Sequence, residues 1–260
     1  MSFLPDDALG QAGGEKSSPG LRLVWSDDFD TDGRPNPEKW GYEHGFVRNR
    51  ELQWYQPENA VCRGGKLVIE GRRETKLLTG ERIRPEFRKR TRAEYTSASL
   101  TTRKKFSWKY GRLEVRAKLS AKNGLWPAIW TLGVEGHWPE NGEVDVMEFY
   151  RGGLMANAAW RKPNGKIQWD ASRTAVTEVA NGDGDWDQEF HTWRMDWDAS
   201  RLVLSLDGRV LNEVDLDAVD HRGSRHPFRQ PHYLLLNLAI GGTQGGDPSR
   251  TEFPTQYLID

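Results

Sequence analysis

The feature that most constrains this chain is a strict two-residue alternation of apolar and polar side chains, broken every few residues by Gly, Pro or Asp. Arg112–Leu119 (RLEVRAKL) alternates along its whole length, and Lys66–Glu70 (KLVIE) and Arg201–Leu206 (RLVLSL) follow similar patterns. Successive side chains of a strand point to opposite faces, so this period predicts half-buried β-strands. Asp207-Gly208 between Arg201–Leu206 and Val210–Leu216 is a two-residue hairpin signal. Tyr233–Ile240 reads as a short apolar strand. The only helical expectations are single turns at Pro37–Trp40 and Leu216–Asp220. No repeat and no linker divides 21–260, which predicts one all-β domain, a two-sheet sandwich or barrel. Met1–Gly20, rich in Gly, Ser, Asp and Pro, reads as a flexible leader. It lacks the basic and apolar regions of a signal peptide, so either a signal has been removed or the protein is cytosolic.

Composition narrows the function classes. Lys+Arg 37 against Asp+Glu 38 gives a net charge of −1, which argues against a nucleic-acid partner. The longest apolar stretch, Leu234–Ile240, is interrupted by Asn237 and falls far short of the ~20 residues that span a bilayer. A single cysteine, Cys62, excludes an intramolecular disulfide, and the six histidines show no metal-binding spacing. The 12 tryptophans are conspicuous. Part of them suits a β core, and part suits a groove of flat aromatic faces; near-neutral charge favours sugar rings over bases as what stacks there. Arg72–Arg92 departs from neutrality, with nine Lys/Arg against three Glu. It reads as a solvated hairpin extension or as a positive wall for an acidic polymer.

The chemistry concentrates in Asn141–Tyr150 (NGEVDVMEFY). Glu143 and Asp145 share one strand face, and strict alternation sends Glu148 to the other. A β-bulge at Val146-Met147 would absorb one residue, bring Glu148 back and turn Phe149 to the core. Three acids in a row on one face repel each other. Such a row is a solvated face, an oxygen-ligand site for Ca²⁺ or Mg²⁺, or a carboxylate pair with a helper for glycoside hydrolysis. Trp126, Trp130 and Trp138 lie just upstream. Aromatic platforms beside paired acids serve a polysaccharide cleft, whereas a metal site needs none.

The blocks ELQWYQPENA (51–60), GGKLVIEGRRE (64–74), YTSASLTTRKKFSWKYGRLEVRAKL (95–119), GLWPAIWTLG (124–133), GEVDVMEF (142–149), FHTWRMDW (190–197) and YLLLNLAIGG (233–242) resemble glycoside hydrolase family 16, its laminarinase-like branch. The resemblance implies a β-jelly-roll sandwich of two antiparallel sheets with a concave substrate cleft. It implies a retaining endo-hydrolase with Glu143 as nucleophile, Glu148 as acid/base and Asp145 as helper. Trp126, Trp130 and Trp138 match cleft tryptophans, and Asn49 and Arg73 match positions that bind sugar on the non-reducing side. Two positions depart from the family pattern. Gly241–Gly246 lacks the glucanase Trp and leaves Gln244 in the rim, and the strand after the acids carries Asn157 where His is usual; Asn157 and Gln244 are taken as substrate-binding. No cofactor is implied for catalysis. A structural calcium is implied near Asp28, Gly65 and Asp260. The expected substrate is a β-1,3- or mixed-linkage glucan, with a marine galactan hydrolase or a non-catalytic glycan-binding jelly roll as alternatives. A secreted or periplasmic monomer is expected.

Overall fold

The computed structural model describes residues 20–221 and 225–260. All but the last residue of the expected leader lies outside them. Among the described residues sixteen strands form two sheets. The seven-stranded sheet runs, in spatial order, β1 (Gly41–Tyr42), β6 (Ser99–Thr101), β15 (His232–Ile240), β8 (Leu125–Gly133), β9 (Glu143–Tyr150), β10 (Gly153–Arg161) and β11 (Ile167–Ala175). The nine-stranded sheet runs β14 (Arg209–Asp215), β13 (Arg201–Leu206), β12 (His191–Trp197), β7 (Gly111–Lys118), β16 (Thr255–Ile259), β4 (Leu67–Leu77), β5 (Arg92–Ser97) and β2 (Gln53–Tyr55), with β3 (Ala60–Cys62) paired on β4. This is the expected all-β jelly-roll sandwich. One pairing corrects the antiparallel expectation: β2 lies parallel to β5, with Gln53 opposite Tyr95.

Alternation decides what faces what. In β15, Leu234, Leu236, Leu238 and Ile240 enter the core between the sheets, while Tyr233, Leu235, Asn237 and Ala239 take the other face. From the opposing sheet, Trp193, Met195 and Trp197 of β12 pack into the same core. The Asp207-Gly208 hairpin forms as expected, both residues at positive φ (48° and 83°), the geometry of a tight two-residue turn. Pro37–Trp40 and Leu216–Asp220 are turns without helix. Among the described residues the α-helices are short, α1 (Val176–Ala180) and α2 (Gly242–Gly245), with single 3-10 turns at Pro57–Asn59, Pro85–Phe87 and Trp186–Gln188.

The basic segment 72–92 is an extension of β4 and β5 with its own small core of Phe46, Trp54, Leu78, Phe87 and Ala93. Several of its charges are turned inward. Arg90 lies over the Phe46 and Phe87 rings and donates to the Glu51 and Arg50 carbonyls. Arg72 pairs with Glu70, and Lys76 with Glu81. Arg84 donates to the Val47 carbonyl (2.8 Å) and alone in the segment lines the cleft.

Candidate active site

The expected bulge is present. Against β8, Met147 faces Ile129 while Asp145 faces Trp130, so β9 carries one extra residue at Val146-Met147. The same shift appears against β10, between Met155–Glu148 and Asn157–Asp145. Val144, Val146, Met147 and Phe149 all join the core. Absorbing one residue on the core face brings Glu148 round beside Glu143 and Asp145. The three carboxylates stand on the floor of a cleft of about 720 Å³ that the seven-stranded sheet lines.

Their surroundings differ. The Trp126 indole N–H donates to Glu148 Oε1 (2.7 Å). The Asn157 amide donates to Asp145 Oδ2 (3.2 Å) and Glu148 Oε2 (3.4 Å). The Trp138 side chain is hydrogen-bonded to Glu143, and Asp145 is hydrogen-bonded to both glutamates. Burial is the main reason that Glu143 and Glu148 are each pushed up to about 7; burial and the charges of both glutamates push Asp145 well up too. The positive Arg48 works against this at Glu143, whereas the negative Glu51 adds to it at Glu148. Burial costs an ionised carboxylate several kcal/mol unless donors compensate, so the site holds protons at neutral pH.

A polar layer behind the acids is absent from the sequence reading. Arg48 lies between Glu43 and Glu51 and covers the Trp130 ring at 4.9 Å. Ser99 Oγ donates to Glu43 (2.7 Å), Gln53 Nε2 to Glu51 (2.7 Å), and the Asn237 amide to the Tyr55 hydroxyl (3.0 Å). Gln53 and Tyr55 lie in the short strand β2, which is buried throughout, and Glu51, also buried, precedes it by two residues. Polar residues in strand period beside aromatics were the available signal.

The cleft gathers most of the residues expected in it, with changed roles. Trp126 and Trp130 are each 7% exposed and form floor; their N–H groups meet Glu148 and Asn237 (2.7 Å each). Trp138 is 47% exposed and presents an open face. Asn157 engages the acids themselves. Asn49 and Gln244 line the rim, where Gly242 at φ 74° lets the Thr243 N–H reach the Asn49 carbonyl (2.9 Å). Arg73 is directed elsewhere: its guanidinium donates to the Pro248 (2.8 Å), Ser249 (2.8 Å) and Thr251 (3.3 Å) carbonyls and lies over Phe253. It ties down a loop and is not part of the cleft lining. For the implied calcium, the Asp260 carboxylate is engaged by Arg116, and among the described residues no three His, Cys, Asp or Glu side chains converge.

A two-sheet jelly roll with carboxylates in a row on its concave floor and an exposed tryptophan beside them has the parts of a polysaccharide-cleaving glycosidase. The comparisons with known proteins agree. Glycosyl hydrolases family 16 matches residues 57–257, and the chain belongs to that family. It is 35% identical to a beta-glucanase of Rhodothermus marinus, over 94% of this chain and 84% of that one. Two further curated relatives, from Niallia circulans and Tachypleus tridentatus, are longer proteins of which it spans 37% and 33%. Among solved structures, one described with endo-acting O-glycanases of the human gut microbiota that initiate mucin breakdown superposes with TM-score 0.84, at 30% identity and over 95% of this chain and 91% of that one. The catalytic domain of a laminarinase from Thermotoga petrophila RKU-1 gives 0.75, at 34% identity and over 92% and 95%. Among the described residues no helix is long and apolar enough to cross a membrane.

Proposed function

We propose that this hydrolase cleaves internal bonds of a β-1,3- or mixed-linkage glucan with retention, using Glu143 as nucleophile and Glu148 as acid and then base. The observation that carries the reading is the row of three carboxylates on the cleft floor beside the exposed Trp138, and the two glutamate roles are those the family resemblance implies. At Glu143 burial and the charge of Glu148 drive the rise, while the positive Arg48 and the bonds to Trp138 and Asp145 oppose it. At Glu148 burial and the neighbouring Glu51 drive the rise, while the bonds to Trp126, Asp145 and Asn157 oppose it, so both glutamates stand in the range a proton-transferring carboxyl needs. Glu143 attacks the anomeric carbon while the Glu148 proton passes to the leaving oxygen. Water then gives its proton to Glu148 and its oxygen to the anomeric carbon, releasing Glu143. Asp145 bonded to both glutamates suits the ~5–5.5 Å separation that double displacement uses.

Reducing-sugar release from laminarin, lichenan, agarose, porphyran, carrageenan and mucin O-glycans tests the substrate. Release from laminarin or lichenan, with the β-anomer as first product by NMR, supports the reading; an α-anomer as first product refutes retention. A second reading, cleavage of mucin-type O-glycans, draws support from the higher TM-score to the O-glycanase-associated structure. Exclusive release from mucin glycans selects it. A polymeric substrate that cannot enter the cell favours a secreted or periplasmic protein. The structural calcium that the family resemblance implies near Asp28, Gly65 and Asp260 is part of the same proposal.

A further inference from the structure

Residues 134–142, between β8 and β9, carry Trp138 at their middle and deliver the chain to Glu143. The Trp138 side chain is hydrogen-bonded to Glu143, so the tip of this loop folds back onto the residue that follows it. What holds the loop in place lies outside the cleft lining. Gln230, 4% exposed, reaches it from the segment before β15. Its Oε1 accepts the Glu135 N–H (2.8 Å), and its Nε2 donates to the Glu135 carbonyl (3.2 Å) and the Asn141 carbonyl (3.1 Å). Glu135 stands three residues before Trp138 and Asn141 three residues after it. One buried amide therefore joins the two arms of the loop at its base. The Asn141 side-chain amide adds a bond to the Gly133 carbonyl (2.8 Å). Gly133 leaves the space for this arrangement: a Cβ there would lie 2.0 Å from the Asn141 carbonyl oxygen and 2.5 Å from Gln230 Nε2. The loop's ion pairs, Glu135 with Arg225 and Glu140 with Arg161, are about half-exposed, and exposed pairs contribute little. The buried amide bonds are costly to break, because the groups left behind stay shielded from water.

We propose that Gln230 is a positioning residue of the reaction: by stapling Glu135 to Asn141 it holds the Trp138 indole on Glu143 and so fixes the hydrogen bond that the nucleophile receives. The role rests on the reading of Glu143 as nucleophile, and it is exerted through Trp138. The ionisable groups that act on Glu143 are Asp145 and Glu148 of its own strand, Arg48 and Tyr233. The bond from Trp138 is one of those that oppose the rise of Glu143. A slackened loop therefore leaves the nucleophile harder to ionise.

The test compares wild type, Q230M, W138F and the double variant Q230M/W138F, with R73A as a control that loosens a loop away from the cleft. kcat/KM is followed against pH on laminarin, or on whichever polysaccharide of the panel is cleaved. The acid limb reads ionisation of the nucleophile. Methionine fills the space of glutamine and offers no amide. In Q230M the acid limb should move up by about 0.5–1 pH unit, part of what a hydrogen bond to a charged group is worth, and kcat should fall about tenfold. W138F removes the indole N–H and should move the limb by about 1 unit. Adding Q230M to W138F should then move it less than about 0.2 unit further, because the two act through one bond. R73A should leave the limb in place. Hydrogen exchange reads the staple without turnover: the Glu135 amide, which donates to Gln230, should exchange about tenfold faster or more in Q230M. An acid limb unmoved in Q230M although exchange at Glu135 has quickened overturns the positioning role, as does a shift that persists in full without the indole N–H. Exchange at Glu135 that stays slow overturns the staple itself. Should Q230M fail to fold, N141A removes one bond of the same loop base and should shift the limb in the same direction by about half as much; an unmoved limb there decides against the proposal. E143Q separates the two readings. If it keeps activity within about tenfold of wild type, the assignment of the nucleophile falls. If E143Q is inactive and Q230M leaves the limb in place, the role of Gln230 alone falls.

Discussion

Trp126→Phe isolates a single proton donor. The Phe ring keeps most of the floor packing and removes only the N–H that Glu148 Oε1 accepts at 2.7 Å. That bond favours the charged carboxylate, opposing the burial that holds Glu148 at about 7. A hydrogen bond to a charged group is worth about 1.5–3 kcal/mol. At 1.36 kcal/mol per pH unit, its loss moves Glu148 up by about 1–2 units. If Glu148 is the general acid, it must be protonated, so the alkaline limb of kcat/KM should shift to higher pH by that amount. The assay is a pH profile on laminarin, because an activated aryl glycoside needs little help in leaving and would mask the limb. Stability has the matching sign. Glu148 is raised above its ordinary value of 4.5, so the stability from its neutral buried form is complete below about pH 4.5 and gone above about 7. In the variant the decline continues to about pH 8–9. W126F should therefore lose about 3–12 °C of thermal midpoint at pH 9 and much less at pH 5. An alkaline limb that stays in place, or moves down, refutes the assignment of Glu148 as acid and of the indole as its partner.

Glu143→Gln should lower kcat by a factor on the order of 10³ or more while leaving glycan retardation in gels intact; residual activity within tenfold of wild type removes Glu143 from the nucleophile role. Trp138→Ala, which exposes no core, should weaken oligosaccharide binding about tenfold by calorimetry with little change in thermal midpoint. A melted fold would instead make Trp138 structural. Arg73→Ala should leave KM within twofold but lower stability by about 1–3 kcal/mol in urea, since three carbonyls lose a charged donor. A large KM effect without destabilisation would return Arg73 to the sugar site.

Much of the architecture was legible because strand period and turn chemistry are local. The alternation of Arg112–Leu119, the positive-φ turn at Asp207-Gly208 and the bulge that brings Glu148 to Asp145 each follow from a few consecutive residues. The three acids were legible for the same reason: their common face is a property of one strand. What lay beyond the sequence depended on contacts between distant segments. Residue type alone placed Trp126 and Trp130 as stacking platforms; the sheet turned their N–H groups onto Glu148 and Asn237, because an indole buried in a floor needs an acceptor there. Arg73 carried the same charge whether it met a sugar or the 248–251 carbonyls, and only the closing of that loop over β4 decided between them. Glu143 and Glu148 are chemically alike in the sequence. Arg48 and Glu51, carried in from nearly a hundred residues earlier, give them different neighbours, because in a site shielded from water charges brought by distant segments reach each carboxylate unequally.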